Sequence, residues 1–129
     1  MQACKFTITT AVDEKENTVV YNGNIAVEDT VTKLTYAAEN SNVCITLQKG
    51  VALIERQGDY TLRLRLEEGK THTGVLGIGG AEGNVSIKTH RVKYSLENGV
   101  LKLSLRYDLI FSEDEIQKTK LNLKAHIRG

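Results

Sequence analysis

The stretch VKYSLENGVLKLSLRYDLIF, residues 92–111, decides the fold. With Asn98-Gly99 as a two-residue turn, residue 97 faces residue 100, and the pairs Leu96/Leu101, Tyr94/Leu103 and Val92/Leu105 fall on one face. The opposite face receives Glu97/Val100, Ser95/Lys102 and Lys93/Ser104. A slip of one residue would exchange the two faces, so the pattern specifies register as well as strand. Asn-Gly suits the turn because both residues tolerate positive φ.

The same period-two alternation runs outward to both ends of the chain. Cys4, Phe6, Ile8 and Val12 share one parity, as do Val19, Tyr21, Ile25 and Val27, then Leu34, Tyr36 and Ala38, then Val43, Ile45 and Leu47. Further strands are marked by residues 51–56, by Leu62, Leu64 and Leu66, by Thr71, Thr73 and Val75, by Val85, Ile87 and Thr89, and by Leu121, Leu123, Ala125 and Ile127. No stretch carries a helical apolar period over three turns, so a helix in residues 112–119 would be limited to one or two turns. The chain has no proline, which agrees with a sheet whose ladders are seldom broken.

Two places disturb the alternation. Thr89 belongs to the odd set with Ile87 while Val92 belongs to the even set, so one residue near His90 must bulge or the strand must turn a corner. Gly23, between Tyr21 and Ile25, is a second expected kink. Long, sequentially joined, kinked strands let a sheet close on itself. The expectation is all-β: a single domain over residues 1–129 of about ten antiparallel strands, as an up-and-down barrel or a strongly curled sandwich, with Leu96, Leu101, Leu103, Leu105, Leu121 and Leu123 facing inward.

Composition sets outer bounds. The 129 residues carry 17 Lys and Arg against 16 Asp and Glu, so a net charge of +1 supplies no global field for nucleic acid or an anionic membrane. Trp is absent and aromatics are 5%, which leaves few base-stacking platforms. No apolar run approaches the roughly 18 residues a membrane helix needs. The start, MQACKFTITTAV, reads as a strand and not as a signal peptide, so a cytoplasmic setting with Cys4 and Cys44 as free thiols is expected.

Catalytic and metal motifs are weak. Gly74, Gly77, Gly79, Gly80 and Gly83 miss the dinucleotide-loop spacing, since Glu82 stands where the last glycine belongs, and read as a flexible hairpin loop. His72, His90 and His126 lie in no metal-ligand spacing and read as face positions. Arg63, Arg65, Arg91, Arg106, Lys93 and Lys102 alternate along adjacent strands, as a basic stripe or a solvated outer face. The expectation is no enzyme, no cofactor and no metal, with neither nucleic acid nor membrane as partner.

One segment points a charge inward. In IERQGDY, residues 54–60, a two-residue turn puts Glu55 on the face of Leu62, and a three-residue turn with a bulge puts Arg56 there with Ile54. An arginine inside a barrel needs an acid such as Glu39, or a ligand anion, unless bulging sends both charges out.

From about Leu34 onward the chain resembles the bacterial YwiB-like family of unknown function. The resemblance rests on LTYAAE (residues 34–39), the Ile54, Arg56, Gly58 string, SIKT ending at Thr89, and LRYDL around Tyr107. It departs at GIGGAEG (residues 77–83), where the family pattern has a Thr-Pro-Tyr-Gly type of turn. It implies a calycin-like, lipocalin-like barrel able to hold a small amphipathic or apolar ligand, with Arg56, Glu39, Thr89 and Tyr107 as the polar ligand-binding positions. The competing expectation is a structural or interaction module whose barrel is filled by its own side chains.

Overall fold

The computed structural model describes residues 2–128. Ten strands follow one another: β1 (Gln2–Val12), β2 (Lys15–Glu28), β3 (Val31–Ala38), β4 (Ser41–Gln48), β5 (Val51–Gly58), β6 (Tyr60–Glu67), β7 (Thr71–Ile78), β8 (Ala81–Glu97), β9 (Val100–Ser112) and β10 (Glu115–Ile127). Each pairs antiparallel with its neighbours in sequence, and β1 pairs with β10 from Cys4/Ile127 to Val12/Thr119. Closure leaves no unpaired sheet edge. No helix occurs among the described residues; residues 112–119 form the β9–β10 hairpin, and no helix is long and apolar enough to cross a membrane.

The β8–β9 hairpin has the register its sequence dictates, including Leu96/Leu101, Tyr94/Leu103, Val92/Leu105 and Glu97/Val100. Asn98 and Gly99 have φ of 52° and 74°, the double positive φ of a type I′ turn, whose twist matches that of the strands it joins. Leu101, Leu103, Leu105 and Leu123 are buried, and Leu121 is partly buried. Leu96 is 41% exposed even though it shares their face. It sits next to the turn, where the barrel ends and no opposite wall covers it.

The bulge falls at His90: Thr89 pairs with Tyr107 and Arg91 with Arg106, leaving His90 without a partner. One continuous strand therefore crosses the parity change, and two expected strands become β8. The local backbone is satisfied from the β6–β7 turn. Gly69 N–H donates to Thr89 O (2.9 Å), Thr89 N–H to Lys70 O (3.0 Å), and Val92 N–H to the carboxylate of Glu68 (3.2 Å). The Val92 bond is the main influence holding Glu68 below the usual carboxylate range.

Three expectations are corrected by the register. Gly23 is no ladder break, since it pairs in sequence with Cys4 and Tyr36, and its missing side chain leaves room for the Phe6 ring. Of the five clustered glycines only Gly79-Gly80 form a turn, while Gly74 and Gly77 lie in β7 and Gly83 in β8. In β7 the inward parity is that of His72, Gly74 and Leu76, because Gly74 pairs with Val85 and His72 with Ile87; Thr71 and Thr73 are exposed. Small size at Gly74 lets Ile87 and Leu64 meet across it, so the hydrophobic pattern of this strand is carried by its neighbours.

Candidate functional site

The interior is apolar over most of its height. Phe6, Leu34, Leu47, Leu66, Ile87 and Ala125 have no exposed surface. The polar side chains gather toward the end that carries the Asp13-Glu14, Glu39-Asn40 and Gly79-Gly80 turns.

Arg56 points inward. It faces Val43 on β4 and Leu62 on β6 and shares the parity of Ile54, so Glu55 is the outward residue. The connection matches neither expected turn. β5 continues beside β4 as far as Gly58, opposite Ser41, while Tyr60 and Thr61 pair with Ile78 and Gly77 on β7. The β5–β6 ladder ends at Arg56/Leu62, and the two strands part above it. That parting leaves Arg56 at the last paired position of the ladder.

The guanidinium is only partly satisfied there. Its carbon lies 4.4 Å from the centroid of the Tyr60 ring, and an Nη is 4.0 Å from an Asp59 carboxylate oxygen. The side chain is 23% exposed, yet its Nε is buried without a hydrogen-bond partner. Asp59 is held by Ser41, whose hydroxyl donates to it at 2.7 Å, and by Tyr60 N–H at 3.0 Å. The Ser41 bond is the main reason its carboxyl sits below the usual range.

Glu39 is not the internal acid. It has the odd parity of β3, opposite to Leu34, Tyr36 and Ala38, and lies exposed in the β3–β4 turn. Thr89 and Tyr107 are brought together: they face each other across β8 and β9, exposed by 1% and 7%. Thr119 completes the row on the far side of Tyr107. Both threonine hydroxyls are buried without a hydrogen-bond partner, a costly state that native interiors seldom leave unrelieved.

Tyrosines link the two groups. Tyr21 and Tyr36 stack with centroids 5.2 Å apart, and Phe6 tilts against Tyr36 at 5.3 Å. Burial first, then the neighbouring Tyr21, pushes the Tyr36 hydroxyl up to about 12, with Arg56 opposing. Burial also pushes the Tyr107 hydroxyl well above the ordinary phenol range, reinforced by Tyr36 and Tyr60. Both phenols therefore stay neutral at any physiological pH.

Sequence parity already set Tyr36 on the inner face; Tyr60, Asp59 and Thr119 were not singled out. Thr119 continues the parity of Leu121 and Leu123, a signal that could have found it. Tyr60 and Asp59 depended on how far β5 runs past Arg56, which the residues of the turn alone do not fix.

Other candidate chemistry is dispersed. Cys4 lies in the core and Cys44 on the outer face of β4, both as free thiols. His72 is turned inward and half-buried, with Nε2 3.9 Å from a Glu67 oxygen, and His90 Nε2 lies 2.9 Å from an Asp108 oxygen on the outer face. Among the described residues, no three His, Cys, Asp or Glu side chains converge. A groove of about 540 Å³ on the outer face of β2–β5, bordered by Asn22, Asn24, Thr35 and Asn42, is lined by none of Arg56, Glu39, Thr89 and Tyr107.

A closed, ten-stranded antiparallel up-and-down barrel is a calycin-like, lipocalin-like fold. The chain belongs to the family described as "Domain of unknown function (DUF1934)", whose model matches residues 3–123. Among solved structures it is similar to the crystal structure of the ywiB protein from Bacillus subtilis, with a TM-score of 0.82 over 99% of this chain and 93% of that one, at 12% identity. At that identity the likeness establishes the fold. No curated protein matches the chain.

Proposed function

We propose that the barrel is a non-enzymatic binding protein for a small amphipathic molecule, taken where β5 and β6 part, with its anionic group toward Arg56. The observation that carries this reading is the inward guanidinium whose Nε is buried without a partner and whose carboxylate neighbour stands off at 4.0 Å. A close internal ion pair would satisfy such a group; a ligand oxygen would do the same. Tyr60 would cover the guanidinium, the Tyr36 and Tyr107 hydroxyls would donate, and Val43 and Leu62 would meet the apolar part. The filled interior below limits the ligand to a short apolar body. The competing reading, a barrel packed by its own side chains, draws on the same fully buried leucines and isoleucines.

Native mass spectrometry of protein purified from its own cell, followed by titration with the fluorescent anionic amphiphile anilinonaphthalene sulfonate, tests the site. The expected result is a retained small molecule, and probe fluorescence that Arg56→Met reduces at least tenfold in affinity while stability holds or rises, since methionine keeps the apolar stem and removes the charge. Equal probe binding by both proteins overturns the reading. A double-mutant cycle of Arg56→Met with Asp59→Asn separates the alternatives, because a structural pair couples in stability and a ligand anchor does not.

A further inference from the structure

The outer face of β8, β9 and β10 places like charges directly opposite one another. Arg91 faces Arg106, and Arg106 faces Lys120 on the next strand; Lys102 faces Lys124 in the same way. All five are exposed. Strands lie roughly 4.8 Å apart, and like charges in opposite positions destabilise a sheet. Two rows of this kind within one three-strand surface have no structural benefit to offset their repulsion.

The acids do not neutralise this surface. Among the outward positions of the three strands the carboxylates are Asp108, occupied by His90 at 2.9 Å, Glu97 beside the β8–β9 turn, and Glu82 and Glu115 toward the opposite end, where they face Gly77 and Ser112. Glu68 reaches over from the β6–β7 turn to Lys93 at 3.4 Å. Arg63 and Arg65, which the sequence groups with this stripe, lie elsewhere and meet acids: Arg63 faces Glu55, and Arg65 lies 3.5 Å from Glu67. The net charge of +1 thus conceals a segregated distribution.

We propose that this face binds the phosphodiester backbone of a nucleic acid without reading its sequence. A groove of about 460 Å³ crosses it, lined by Arg91, Lys93, Lys102 and Lys124 with Ser104 and Asn122 between them. Cations spaced at two-residue intervals along strands, with hydroxyl and amide groups interleaved, suit a chain of phosphates and their sugars. Tyr94, Leu103 and Leu123 also border the groove but have the inward parity, so the side chains that project from it are polar or charged, which suits phosphates better than base stacking or insertion into a bilayer. The expectation of no nucleic-acid partner rested on net charge and aromatic content, and neither bears on a local, backbone-only contact.

Fluorescence anisotropy of the full chain with a labelled single strand of about twenty nucleotides, and with the matching duplex, tests the proposal across salt concentrations from about 20 to 200 mM. Binding should be insensitive to base sequence and weaken with salt, the log–log slope for the single strand being about −2 to −4 if three to five phosphates are engaged. Arg91→Gln/Arg106→Gln/Lys120→Gln should lower affinity at least tenfold and flatten that slope, while Arg63→Gln/Arg65→Gln should change neither. Removing repulsive neighbours leaves the fold intact, which a thermal melt verifies; Lys102→Gln/Lys124→Gln is the independent second variant and should also weaken binding. Absence of binding at the lowest salt overturns the proposal, as does equal loss in the Arg63/Arg65 control. Tighter association with phosphatidylglycerol vesicles than with either oligonucleotide also overturns it and assigns the face to membranes.

Discussion

The hydroxyl of Ser41 donates a 2.7 Å hydrogen bond to the carboxylate of Asp59, and the absence of a side chain at Gly58 makes the approach possible. A Cβ at position 58 would meet Asn40 O and would lie 2.6 Å from the Ser41 Cα and Oγ. Most of that obstruction is backbone, which cannot swing aside. Gly58→Ala should therefore cost about 1–3 kcal/mol in urea unfolding, the usual penalty for forcing atoms into a filled site. Loss of stability within error of zero would show that the β4–β5 end is looser than its geometry.

Ser41→Ala should raise the Asp59 pKa toward the ordinary carboxylate value, followed by carbon chemical shifts in a pH titration. The folded value is depressed, so the stability this carboxylate contributes is present above the unfolded pKa and is lost as pH falls through the folded one. Without the serine the two values lie closer together, so the acid-side loss should be smaller and complete at higher pH. An unchanged titration would mean that Tyr60 N–H and Arg56 alone set the value.

The tyrosines respond at the alkaline end. Of the five phenols, Tyr36 should ionise near 12 and Tyr107 later still, seen as a delayed fraction of the phenolate absorbance. Between about 10 and 12 the unfolded chain releases protons that the folded one retains, so stability should fall as pH rises through this window. Complete ionisation of all five near pH 10 without unfolding would place both hydroxyls in water.

Leu103 and Leu96 share a face and differ in cover, being 2% and 41% exposed. Leu103→Ala should cost about 2–5 kcal/mol, as full core truncations do. Leu96→Ala should cost well under half as much. Equal losses, measured by urea midpoints, would contradict the position of the barrel's end.

Glu14 occupies the β1–β2 turn with φ of 72°, following Asp13 at 49°. An L-residue with a Cβ pays for that left-handed conformation, and glycine does not. Glu14→Gly should stabilise by about 1 kcal/mol net of the extra freedom of the unfolded chain. A lower melting temperature would point to an interaction of the Glu14 side chain that outweighs the strain.

Much of this fold could be read from residues 92–111, because a hairpin is a local object and its turn chemistry and face pattern agree. The bulge at His90 was visible for the same reason, as a parity change within four residues. β7 misled because its inner face carries His72 and Gly74, leaving Thr71, Thr73 and Val75 to suggest the wrong side. At the end of the β5–β6 ladder, the parity of Ile54 allowed Arg56 to point inward, but the acid beside it depended on β5 running on along β4. Glu39 was the natural candidate in composition and the wrong one in parity. The charged face required knowing that β10 lies beside β9, which sets Lys120 and Lys124 against residues of the basic stripe.

The seam between β1 and β10 gives this barrel two kinds of contact with very different assembly times. Every other ladder is a hairpin that can form by closing a short loop, whereas Asp13 and Lys118 meet across 105 positions of chain. Closing that long loop carries an entropic cost that grows only logarithmically with length, but the contacts rewarding it arrive last. Folding should thus proceed as a curling ribbon with both margins exposed until the final annealing step, and the slow phase should respond to changes along β1 and β10 more than to changes in the β8–β9 hairpin.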